Sequence, residues 1–86
     1  MIMVINMEEL RSVVNIGSYG NISIHLKELM EANGITRYRL AKLADTRFEV
    51  IEKWCSGTIE RIDADVLARF CYILNCDIGD IIKYTK

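Results

Sequence analysis

Residues 35–57 concentrate the side chains best able to recognise another molecule. They include the cations Arg37, Arg39, Lys42, Arg47 and Lys53, the acids Asp45, Glu49 and Glu52, the aromatic Phe48, and the hydroxyls of Thr36 and Ser56. Their chemistry is hydrogen bonding and ion pairing rather than bond making. A guanidinium fork such as that of Arg47 can pair bidentately with guanine, Phe48 can pack on a thymine methyl, and Glu49 can accept from cytosine N4. Arg37 and Lys53 suit phosphate, a contact that fixes register without reading sequence. Each has a plainer reading: Arg47 as a solvated helix-start residue, Phe48 as a core or dimer contact, and Glu49 as an acid complementing a first helical turn. The sequence holds no Ser/His/Asp set, paired-carboxylate cleft or glycine-rich phosphate loop, so it is not expected to be an enzyme.

The elements that must position these groups are two short amphipathic helices joined by a tight turn. Thr36 can cap a helix whose buried positions are Leu40 and Ala41, with Leu43 and Ala44 as further candidates. Asp45 and Thr46 form the turn, and one of them is expected to cap the next helix, over about residues 47–55. There Val50, Ile51 and Trp54 are spaced to face inward, which leaves Arg47, Phe48, Glu49, Glu52 and Lys53 exposed. Ser56 and Gly57 end it. This is a helix-turn-helix layout, a unit that mostly reads DNA. Helices crossing steeply after so short a turn need a small residue at the contact, which Ala41 supplies, and an apolar anchor, which Ile51 supplies.

The surrounding chain is consistent with one small domain. Its 86 residues would bury roughly 60% of the surface exposed by the unfolded chain, and the 51% hydrophobic content can build a core. The absence of proline favours helices. Three cysteines without a C-x-x-C spacing and a single histidine make no zinc set, so neither metal nor cofactor is expected, and reduced thiols fit a cytoplasmic protein. The longest apolar runs, residues 1–5 and 70–74, are too short for a membrane span. Net charge is −1, but it is unevenly placed. Residues 36–61 carry six basic residues against four acidic, a local +2, whereas the remainder carries five against eight, a local −3. A mild basic face on an acidic body results.

Residues 1–21 read as an N-terminal extension: a strand-like run at 1–5, a weak helix over about 6–14 opened by Asn6 and Glu9, then a linker rich in turn formers. From residue 22 the domain begins. An alternating run at 22–26 gives way to a first helix over about 25–33, with His25 exposed and Gly34 as a left-handed cap. Asp63 caps a fourth helix over 64–75 that carries Val66, Leu67, Phe70, Cys71 and Leu74 on one face, and Asp77 caps a short fifth over 78–82.

Residues 22–84 resemble the Cro/repressor-type (Xre-like) helix-turn-helix regulators of bacteria and phages. The residues that carry the likeness are Leu26-Lys27-Glu28-Leu29-Met30, Gly34-Ile35-Thr36, Leu40-Ala41, Ile51, Gly57, Arg61-Ile62-Asp63 before Leu67, and the closing run from Leu74 to Ile82. The 18-residue spacing from Leu40 to Gly57 fits without a gap. The resemblance implies an all-α, five-helix, lambda-repressor-like domain over residues 22–86, in which residues near 22–25 and 82–86 can form a two-stranded ribbon. It also implies that Arg47, Phe48 and Glu49 meet base edges, that Thr36 and Arg37 grip phosphate, and that Ser56 donates to phosphate. Asp45 stands where the family usually has glycine, Arg47 where a small capping residue is usual, and Glu52 where a short polar residue would approach the backbone. A carboxylate there repels phosphate unless a cation or water intervenes.

The expected function is thus a sequence-specific DNA-binding regulator, a repressor acting on double-stranded DNA as a homodimer, with Ile78, Ile81, Ile82 and Tyr84 as contacts between copies. The competing expectation is a protein-interaction module on the same fold, antitoxin-like or anti-repressor, in which Glu49 and Glu52 face a protein partner.

Overall fold

The structure, a computed structural model, describes residues 17–86. The run expected at residues 1–5 and the weak helix at 6–14 lie outside the described residues. In chain order come strand β1 (Asn21–Ile24), helices α1 (Leu26–Ala32), α2 (Arg37–Ala44), α3 (Phe48–Ser56), α4 (Ala64–Leu74) and α5 (Ile78–Ile81), and strand β2 (Ile82–Thr85). The described residues thus form the expected helical domain with its antiparallel ribbon, in which Ile22 pairs with Tyr84 and Ile24 with Ile82.

Local chemistry sets the helix ends. Gly34 takes φ +66°, a conformation that suits glycine, and the Ile35 N–H turns back to donate to the Met30 carbonyl at 3.0 Å. Thr36 Oγ1 accepts from the Arg39 N–H at 3.1 Å and opens α2. Asp63 Oδ1 accepts from the Asp65 and Val66 N–H groups and opens α4, while the Asp80 carboxylate accepts from the Asp77 N–H at the start of α5.

Each of the five described helices contributes to one core: Leu26 and Met30, Leu40, Ala41 and Ala44, Ile51 and Trp54, Leu67, Phe70 and Leu74, and Ile81. Trp54 meets Phe70 edge to face with ring centroids 5.1 Å apart, a favourable aromatic geometry that links α3 to α4. Buried Ala41 and Ile51 occupy the positions that a close crossing of α2 and α3 requires. The backbone ties the ribbon to this core, because the His25 N–H donates to the Ile81 carbonyl at 2.7 Å.

Four expectations need correction. Leu43 is 48% exposed, because the buried stripe of α2 runs through Leu40, Ala41 and Ala44, and Leu43 lies off it. Neither Asp45 nor Thr46 caps α3; Asp45 is consumed in ending α2, and Arg47 becomes the N-cap without a capping side chain. Ile81, expected to contact a second copy, is fully buried in the core. His25 precedes α1 rather than lying exposed upon it, half-buried with Nε2 2.9 Å from Ser23 Oγ.

Candidate nucleic-acid interface

The turn between α2 and α3 is held from behind. Asp45 adopts φ 54°, ψ 49°, and its N–H donates to the Ala41 and Lys42 carbonyls. The Thr46 N–H also donates to Ala41, at 3.0 Å. Arg69 of α4, paired with Asp65 one turn earlier, donates through Nη1 to the Ala44 carbonyl at 2.9 Å and reaches the Asp45 carbonyl at 3.5 Å. A cation on the last carbonyls of α2 satisfies groups the helix cannot, and it complements the negative end of the helix dipole. The direction in which α3 leaves the turn is thereby fixed by backbone contacts.

One side of α3 is anchored by Ile51 and Trp54, and the other is open. Arg47 and Glu49 are exposed at its start, Phe48 is 44% exposed, and Lys53 is exposed one turn further on. Because Arg47 caps α3 with backbone geometry alone, the first amide groups of the helix have no capping side chain. Such an end favours anions. Nine residues give α3 a length of about 14 Å, comparable with a major groove about 12 Å wide.

Arg37 and Glu52 meet. Arg37 Nη1, on the first residue of α2, donates to Glu52 Oε2 in the middle of α3 at 2.7 Å, with both side chains roughly two-fifths exposed. The hydrogen bond to Glu52 pushes the guanidinium up from its ordinary range, and an arginine is charged at any accessible pH. The carboxylate that would repel a phosphate has its cation beside it. Thr36, next in the chain, uses its oxygen as the α2 cap and keeps its hydroxyl proton to donate.

Ser56 is engaged differently from the simplest expectation. Its hydroxyl donates to the Lys53 carbonyl at 3.2 Å and lies 3.0 Å from Thr58 Oγ1. Beyond it, Lys53, Thr58, Ile59, Glu60 and Arg61 line a shallow depression where α3 gives way to the following loop. Thr58 and Arg61 therefore join the candidate interface. In the sequence Arg61 was visible both in the basic count over residues 36–61 and in the family likeness, whereas nothing singled out Thr58.

The three thiols are free and partly buried. Cys55 packs its Sγ 3.7 Å from Met30 Sδ, and burial pushes its thiol up, opposed by the charge of Arg37. Burial also pushes Cys76 up, reinforced by Cys71. Raised thiols are poor nucleophiles at neutral pH. Among the described residues no cluster of three His, Cys, Asp or Glu side chains could hold a metal ion, and no helix is long and apolar enough to cross a membrane.

Comparison with known proteins agrees with this geometry. The family model of the Cro/C1-type HTH DNA-binding domain matches residues 25–86. Similar solved structures include a candidate DNA-binding protein from Bacteroides fragilis, with TM-score 0.66 and 22% identity over 73% of this chain and 100% of that one. They also include the transcriptional regulator VanUg, with TM-score 0.63 and 26% identity over 83% of this chain and 95% of that one. No curated protein matches significantly.

Proposed function

Because the chain belongs to the Cro/C1-type HTH DNA-binding domain family, we propose that it is a cytoplasmic transcription repressor of bacterial or phage type that binds double-stranded DNA as a homodimer. The observation that carries this reading is the arrangement of α3. Ile51 and Trp54 fix one side in the core, and Arg47, Phe48, Glu49 and Lys53 stand exposed together on the other. Arg47, Phe48 and Glu49 address base edges from the N-terminal end of the helix, while Thr36, Arg37, Lys53, Thr58 and Arg61 meet phosphates. Ser56 adds a phosphate contact once its hydroxyl leaves the Lys53 carbonyl. Two copies about one helical turn apart read a palindrome, joined through Ile78, Ile82 and Tyr84.

A second reading, an interaction module with little DNA binding, draws support from another surface. Leu43, Ala68, Tyr72 and Ile73 line an apolar depression beside Arg69, and Tyr72 is 88% exposed. Titration against genomic fragments carrying the protein's own promoter, at two salt concentrations, separates the two. A regulator loses affinity steeply with salt, by a slope of about −0.9 for each phosphate neutralised. No binding at low salt overturns the proposal in favour of the interaction module.

A further inference from the structure

Taking α3 as the DNA-facing helix, we propose that Glu52 is a positioning residue: its carboxylate aims the Arg37 guanidinium at a backbone phosphate and so sets the register in which Arg47, Phe48 and Glu49 meet the bases. The 2.7 Å bond joins the first residue of α2 to the middle of α3, across the exposed side of the pair. Fold stability does not need it. Leu40, Ala41, Ile51 and Trp54 already fix the crossing from beneath, and an ion pair this exposed adds little to stability.

Geometry gives the pair a different use. A guanidinium has five N–H donors in a rigid planar fork, and the bond to Glu52 occupies one of them. The remaining donors serve a phosphate, and the fork no longer swivels on its long side chain. An acid on a DNA-facing helix then costs little in repulsion, since its charge is already matched. Without Glu52, Arg37 still attracts any duplex, but it no longer holds one register.

The test begins by selecting duplexes from a randomised library with the full-length wild-type chain. Affinities of the wild type, Glu52→Gln, Arg37→Ala and the double variant are then measured on a selected duplex and on a scrambled one of equal length. Glu52→Gln is expected to lose about tenfold on the selected duplex, and to bind the scrambled duplex as well as the wild type or better. In the Arg37→Ala background the same change is expected to cost nothing further, because its effect passes through Arg37. Tightening on both duplexes by one factor would show Glu52 to be merely repulsive, and an undiminished loss in the double variant would show that it acts without Arg37; either overturns the proposal. Should Glu52→Gln not fold, Glu52→Asp takes its place with the same expectations, since one methylene less draws the carboxylate back from Arg37. If the wild type enriches no duplex, the DNA-binding reading fails and this inference falls with it, an outcome distinct from failure of the positioning role alone.

Discussion

Replacing Asp45 tests how the turn before α3 is made. Its N–H donates to the Ala41 and Lys42 carbonyls and its own carbonyl receives Arg69, so these bonds are all to backbone and survive a change of side chain. What changes is the tolerance of φ 54° and the charge at the end of α2. An L residue in the left-handed region loses roughly 1–2 kcal/mol, with Asp and Asn the most tolerant after glycine. A carboxylate at a helix C-terminus costs a further ~0.3–1 kcal/mol. Asp45→Asn keeps the tolerance and removes the charge, so it is expected to stabilise by about 0.3–1 kcal/mol. Asp45→Gly gains the same and also relieves the backbone, but it frees the unfolded chain by about 0.4–1 kcal/mol; its net stabilisation is expected at ~0.5–1.5 kcal/mol. Asp45→Ala removes the charge yet forces an intolerant residue into the turn, and is expected to fall ~0.5–1 kcal/mol below the wild type. At about 4–8 °C per kcal/mol, thermal melts followed by circular dichroism resolve the order Gly and Asn above Asp above Ala. An alanine variant as stable as the asparagine one would refute the claim that left-handed geometry governs this position.

Other perturbations have equally definite outcomes. Ile51→Ala, at a fully buried site, is expected to cost about 2–5 kcal/mol in denaturant unfolding; no loss would remove Ile51 from the core. Gly20→Ala would bring a Cβ within 2.5 Å of the Thr85 carbonyl at φ +88°, so a loss of about 1–3 kcal/mol is expected, and an unchanged melt would contradict the packing of the chain against β2. Cys55 provides a pH test. Its thiol is raised in the folded protein, so the stability this contributes is complete below the ordinary thiol range and is lost as pH climbs through the folded value. Stability measured across the alkaline range should therefore decline less steeply in Cys55→Ala than in the wild type, and parallel curves would refute the assignment.

Much of the fold was legible because the buried stripes obey helical spacing and the stops are made by local chemistry. Leu40 and Ala41, Ile51 and Trp54, and Leu67, Phe70 and Leu74 announce three helix faces, while Thr36, Asp63, Gly34 and Gly57 mark ends that need no distant partner. The errors arose where two local roles compete. Asp45 can cap a following helix or end a preceding one, and the backbone bonds from Asp45 and Thr46 back into α2 decide for the second. Leu43 is apolar but off the stripe, which composition alone does not reveal. At the candidate interface, exposure of Arg47, Phe48, Glu49 and Lys53 followed from periodicity. The pairing of Arg37 with Glu52, fifteen residues apart, and the reach of Arg69 to Ala44 depend on how helices cross, which helical spacing does not encode.

The ribbon has a mechanical consequence. Asn21 lies opposite Thr85, and the Tyr84 hydroxyl donates to the Tyr19 carbonyl at 2.6 Å, so the two outer segments of the domain run side by side. Tension applied through both would open β1 and β2 like a zipper, one pair at a time, beginning at Asn21 and Thr85. Load would reach the helices only after Ile24 parted from Ile82. A load carried between the two segments thus acts on the outer ribbon pairs first, and α3 keeps its shape until they are gone.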